Sequence, residues 1–144
     1  MNKLISYSLY GSNSKYTYGA IRNSALAKEF FDDWDTRFYC GNDVPHETLR
    51  NLERMGSHVV LQKDSWNPNG MFWRYSAVTD LDYEYVIFRD VDSRFTERDV
   101  VAINEWINSR RNFHIIRDHP YHFTRILGGL FGLRNCAKFR YLPW

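Results

Sequence analysis

Cysteine is scarce in this sequence, clusters of basic residues are missing, and no apolar run is long enough to cross a bilayer. The two cysteines, Cys40 and Cys136, stand in no CxxC pair and near no histidine at zinc spacing. Neither a disulfide framework nor a zinc site is therefore implied, and reduced thiols of a cytoplasmic protein are the expectation. The apolar stretch near the N-terminus is too short for a signal peptide, and nothing approaches the roughly 20 apolar residues of a membrane span. The 19 basic residues are spread along the chain and leave a formal net charge of only +2, so no nucleic-acid or membrane-surface patch is indicated. Internal repeats, low-complexity tracts and linkers are also lacking. What remains is 144 residues with 44% hydrophobic and 25% charged side chains, which suits one soluble globular domain over 1–144. Aromatic residues reach 17%; their rings serve equally as stacking platforms and as core filler.

Hydrophobic periodicity divides the chain into alternating strands and helices. Residues 4–9 read as a first strand, followed by a loop over 10–14 and a helix over 20–34 with Leu26, Phe30 and Trp34 on one face. Residues 36–40 form a second strand. A helix over 46–55 buries Leu49 and Leu52 and stops at Gly56. A third strand covers 59–61, Asn67-Pro68-Asn69-Gly70 breaks the chain, and residues 71–79 are predicted helical. Residues 85–88 are continuously apolar, the mark of a strand buried on both faces of a parallel sheet. Thr96 caps a helix through 108, with Asp99 at capping-box distance and Val100, Ile103 and Ile107 facing inward. A fifth strand covers 113–116. This alternation predicts an α/β fold, a mostly parallel sheet with helices on both faces, whose ligands gather beyond the carboxyl ends of the strands.

Asp90-Val91-Asp92 follows directly on the fourth strand, at that ligand edge. Two carboxylates one residue apart can reach a single hard cation, and Mg²⁺ or Mn²⁺ commonly takes one or two carboxylates while phosphates and water complete its shell. Asp33-Trp34-Asp35 and Asp80-Leu81-Asp82 match the same pattern. However, the first straddles a helix end and the second precedes a strand, so both read as solvated turns. A phosphohydrolase of the haloacid-dehalogenase type also places Asp-x-Asp after a strand, but after the first one. It also carries a small residue two positions beyond the second Asp, where this chain has Arg94.

Four ordered blocks carry a resemblance. They are Lys15-Tyr16-Thr17-Tyr18-Gly19-Ala20-Ile21-Arg22-Asn23, Met71-Phe72-Trp73-Arg74-Tyr75, Arg89-Asp90-Val91-Asp92-Ser93-Arg94, and the pair 113–120 with 126–132. Together they resemble small GT-A-fold glycosyltransferase-like proteins with a DxD motif, of the kind found in bacteria and large DNA viruses. The resemblance implies a GT-A (nucleotide-diphospho-sugar transferase, Rossmann-like) fold and a metal-dependent transferase. Such an enzyme moves a sugar from a UDP- or GDP-linked donor to a saccharide or other hydroxyl acceptor. It implies Asp90 and Asp92 as ligands of Mn²⁺ or Mg²⁺, flanked by Val91. Tyr10, Tyr18, Arg22 and Asn23 would lie at the base and ribose, and Arg74 and Arg94 at the diphosphate. Arg22 and Asn23 read equally as polar positions of a helix; Arg74 could reach the diphosphate or brace the aspartates from behind, and reads equally as a structural arginine stacked on Trp73 or paired with Asp80. Asp118 is the candidate acceptor base, His119 or His122 a partner of acceptor or metal, and Gly128-Gly129 a place of close backbone approach to sugar or phosphate. The chain ends at 141–144, soon after these glycines, whereas transferases of this kind continue. A domain short at its C-terminus is therefore expected, and a non-catalytic nucleotide-sugar-binding module is the alternative function.

Overall fold

The structure is a computed structural model that describes residues 1–64 and 68–135. Asn67, Cys136 and the terminal 141–144 of the sequence reading lie outside the described residues. The order is β1 (Lys3–Leu9), α1 (Ser14–Phe30), β2 (Asp35–Cys40), α2 (His46–Arg54), β3 (His58–Leu61), a 3₁₀ segment (Gly70–Thr79), β4 (Tyr85–Arg89), α3 (Glu97–Ser109), β5 (Phe113–Ile115) and β6 (Leu130–Arg134). One six-stranded sheet runs β3-β2-β1-β4-β6-β5. β1 to β4 are mutually parallel, β6 lies antiparallel to β4, and β5 lies antiparallel to β6. β5 therefore points the same way as β4, and its carboxyl end reaches the same edge.

Alternation along β1 builds two cores. Ile5, Tyr7 and Leu9 face α1, α2 and α3, where they meet Ala20, Ala27, Leu52, Ile103 and Trp106. Leu4 faces the opposite layer with Val86, Phe88 and Ala77 of the 3₁₀ segment. Helices thus cover both faces of a mostly parallel α/β sheet, as the alternation predicts, with the α-helices on one side and the 3₁₀ segment on the other. β4 is buried at every residue, as its unbroken apolar run requires.

Three elements differ from the sequence reading. α1 starts at Ser14 rather than 20, because Asn13 caps it: the Asn13 side-chain oxygen accepts from the Lys15 N–H at 2.9 Å. Residues 70–79 form a 3₁₀ segment because β1 draws its backbone groups sideways. Ser6 Oγ donates to the Arg74 carbonyl at 2.7 Å, and the Arg74 N–H donates to Ser8 Oγ at 3.0 Å. These bonds also account for two serines buried in a core strand. β6 was not predicted; Gly132 lets it lie flat, since a Cβ there would stand 2.8 Å from the Ile87 side chain and 3.0 Å from the Val86 carbonyl.

Cys40 is a free, buried thiol, and burial pushes it from 9.0 up to about 12. The folded value is raised, so its contribution is fully present below 9.0 and is lost as pH climbs toward about 12. The urea midpoint is expected to fall across that window, and to fall less steeply in Cys40→Ala. Equal slopes would contradict the burial of the thiol.

Candidate functional site

β1 and β4 are parallel neighbours in which Tyr7 lies beside Arg89, so the chain leaves both strands side by side at one edge. There a cavity of about 300 Å³ opens. Asp90, Val91 and Asp92 supply one wall, Ser8 and Tyr10 the end of β1, Tyr16 the first turn of α1, and Met71 and Arg74 the 3₁₀ segment. Five of the sequence-derived candidates therefore converge: Tyr10, Arg74, Asp90, Val91 and Asp92.

Each carboxylate meets a cation. Arg74 Nη1 pairs with Asp90 Oδ1 and donates to the Arg89 carbonyl at 3.0 Å. The Arg74 side chain is only 8% exposed, against 48% for Asp90, so the guanidinium braces the aspartate from the protein side while the carboxylate opens to solvent. Asp92 Oδ2 lies 3.0 Å from Lys15 Nζ. Gly129 closes the other side of Asp90. A Cβ on Gly129 would fall 2.0 Å from Asp90 Oδ2, which only a glycine avoids. Gly128 packs on Tyr75, whose hydroxyl donates to the Gly128 carbonyl at 3.0 Å. Within the protein the glycine pair thus lies close against Asp90 and Tyr75.

The loop carrying the aspartates is held from behind. Asn23 is 1% exposed, and its Nδ2 donates to the Val91 carbonyl at 3.1 Å. Arg94 Nη1 donates to the Val91 carbonyl at 2.8 Å and to Asn23 Oδ1 at 3.4 Å. Both side chains hold the loop at 90–94 from behind. Gly19 lets α1 press on the same carbonyl, since a Cβ there would meet Val91 O at 2.3 Å. Beyond the loop, Arg89 Nη1 pairs with Asp99 Oδ1 at 2.9 Å, both nearly buried. Asp99 also closes the capping box of α3 with Thr96, so the end of β4 and the start of α3 form one fixed unit.

The remaining candidates lie elsewhere. Tyr18 is 69% exposed and Arg22 is exposed on α1, and neither lines the cavity. Asp118 faces a second cavity of about 560 Å³ between α3 and β5, where it lies 3.7 Å from Arg98 Nη2 and 3.4 Å from His122 Nδ1. His119 is exposed, its ring tilted against those of Tyr121 and His122 at centroid distances of 5.3 and 5.4 Å. Tyr16, Ser8, Met71, Lys15 and Gly19 were missed as site residues. Reading Asn13 as the cap of α1 would have put Lys15, Tyr16 and Gly19 on the first turns of a helix that begins at the ligand edge.

Among the described residues no three His, Cys, Asp or Glu side chains are grouped to hold a metal. Two carboxylates, half exposed on one cavity and backed by a guanidinium, nevertheless fit a hard cation that takes its other ligands from phosphate and water. They do not fit zinc, whose sites need more protein ligands. No helix of the described residues is long and apolar enough to cross a membrane.

No protein-family profile matches the chain, and no curated protein matches it. Among solved structures, it is similar to the mannosyltransferase PcManGT from Pyrobaculum calidifontis, determined in complex with GDP-Man and Mn²⁺. The TM-score is 0.63 at 10% identity, over 92% of this chain and 44% of that one. The likeness is one of fold, a glycosyltransferase-like α/β sheet, and this chain spans less than half the length of that transferase.

Proposed function

We propose that the chain binds a nucleoside-diphosphate sugar at the edge of β1 and β4 and transfers its sugar to a hydroxyl acceptor. One observation carries the reading: Asp90 and Asp92, set apart from two other Asp-x-Asp pairs only by strand position, line one cavity with Arg74, Tyr10 and Tyr16. Asp90 and Asp92 would hold Mn²⁺ or Mg²⁺; when bound, such a cation offsets the charge of a departing diphosphate. Tyr10 and Tyr16 offer rings for the base, and Arg74 keeps the Asp90 carboxylate turned to the cavity. Asn23, Arg94 and Gly19 hold the loop so that both carboxylates stay aimed without reorganisation. GDP- and UDP-linked donors are the candidates, the first because the fold neighbour holds GDP-Man.

Asp118 is proposed as the acceptor base. It follows β5, whose carboxyl end reaches the same sheet edge, and a carboxylate there can take the proton of an attacking hydroxyl. Among the described residues, the lining of the donor cavity contains no carboxylate besides Asp90 and Asp92, an observation that favours the second reading, a donor-binding module without transfer. Incubation with GDP-mannose or UDP-glucose and Mn²⁺ separates them. Release of nucleoside diphosphate, reduced at least about tenfold in Asp118→Asn while donor binding persists, supports the transferase. Binding without release selects the module, and neither binding nor release overturns both.

A further inference from the structure

Lys15 has no part in the scheme above, yet its ammonium sits 3.0 Å from Asp92 Oδ2. It is the second residue of α1, whose first turn carries no acidic side chain. A helix N-terminus repels positive charge, so Lys15 stands where its own helix disfavours it, and the Asp92 carboxylate compensates. The two cations at the aspartates also differ in freedom. Arg74 is fixed by burial and by its bond to the Arg89 carbonyl, and its buried Nε has no hydrogen-bond partner. Lys15 is 62% exposed on a flexible stem.

We propose that Lys15 is an exchangeable counter-ion: it occupies Asp92 until a divalent cation binds there, and then swings to the diphosphate oxygens of the incoming donor. An exposed ion pair contributes little to stability, so a doubly charged ion displaces it at small cost. Once Asp92 is taken, Lys15 and the N-terminus of α1 are left as unmatched positive charge at the rim of the cavity. That is the environment a phosphate prefers. Metal and nucleotide then bind cooperatively, each favouring the arrangement the other needs. This inference rests on the proposed metal and donor site.

The test reads metal and nucleotide separately. Free Mn²⁺ is followed by electron paramagnetic resonance with the metal alone, and GDP and UDP are titrated at saturating Mn²⁺, for wild type, Lys15→Ala and Lys15→Arg. Lys15→Ala is expected to bind Mn²⁺ alone about threefold more tightly, because its competitor is gone. The same variant is expected to bind nucleotide about tenfold more weakly, and Lys15→Arg to restore both affinities. Unchanged Mn²⁺ affinity with weaker nucleotide binding would make Lys15 an ordinary phosphate ligand and overturn the exchange. Weaker binding of both would make it a prop for Asp92, with the same consequence. Wild-type protein that takes Mn²⁺ but no nucleotide would count against the donor site and against delivery to phosphate. The Mn²⁺ comparison would still decide whether Lys15 competes for Asp92.

Discussion

Gly19→Ala is expected to destabilise the fold by about 1–2 kcal/mol and to weaken nucleotide binding with it. Two opposing effects set that figure. Alanine inside a helix gains up to about 1 kcal/mol over glycine in propensity, whereas forcing a methyl into a packed contact costs about 1–3 kcal/mol. The new Cβ would lie 2.3 Å from the Val91 carbonyl oxygen and 3.0 Å from Arg94 Nη2. The first is backbone and cannot swing aside. α1 is held on its other side by Ala20, Leu26 and Ala27 in the core, so the loop at 90–94 must give way, and with it the hydrogen bonds from Asn23 and Arg94. Urea denaturation reads the stability, and calorimetry with Mn²⁺ and nucleotide reads the loop. Stability equal to or above wild type would mean that helix propensity wins and that α1 does not press on the loop.

Gly129→Ala acts on the carboxylate itself. Its Cβ would stand 2.0 Å from Asp90 Oδ2, 2.4 Å from Cγ and 3.0 Å from the Asp90 backbone nitrogen. An aspartate side chain is too short to evade all three without leaving Arg74, and the guanidinium would then lose a charged partner in a nearly closed site. A charge-assisted contact of that kind is worth about 1.5–3 kcal/mol, which corresponds to a loss of roughly ten- to a hundredfold in metal-dependent nucleotide affinity. Gly128→Ala is the comparison, since its Cβ first meets the Tyr75 hydroxyl at 2.6 Å, the end of a side chain, and should cost less. Equal affinity in Gly129→Ala and wild type would show that the position of Asp90 does not govern binding.

The legible parts of this molecule are those whose signal is local and repeated. The unbroken apolar run before Asp90 marks β4, and the helix over 97–109 announces itself through Thr96, Asp99 and Ile103. Strand position alone separated Asp90 and Asp92 from the pairs at 33–35 and 80–82. In the structure Asp90 and Asp92 line the cavity, whereas Asp35 opens β2 and accepts from the Tyr83 hydroxyl, and Asp80 pairs with Arg37, both away from it. Arg74 read equally as a residue of the site, at phosphate or behind the aspartates, and as a structural arginine on Trp73 or Asp80; in the structure it pairs with Asp90, and Asp80 pairs with Arg37.

What stayed illegible depends on partners distant in sequence. Ser6 and Ser8 look like misplaced polar residues in a core strand until the 3₁₀ segment, more than 60 residues away, takes their hydroxyls. Asn23 and Arg94 bear ligand-like side chains, but only the fold shows them turned to the Val91 carbonyl. β6 eluded the pattern because three glycines, 128, 129 and 132, fall within five residues and weaken any strand signal, whereas Gly132 is what admits the strand beside Ile87. The beginning of α1 was lost to a run of loop-forming residues, 11–14, of which Asn13 is in fact the cap. Tyr16 and Lys15 were lost with it.

The most direct test is calorimetric titration of GDP and UDP into wild-type protein and Asp92→Ala, with and without Mn²⁺. Binding of one nucleotide that requires the metal and disappears in Asp92→Ala is the expected result. It would establish the cavity between β1 and β4 as a metal-dependent nucleotide site. Binding that is indifferent to metal or to Asp92, or no binding of either nucleotide with Mn²⁺ present, would contradict it and leave only the fold in common with the transferase.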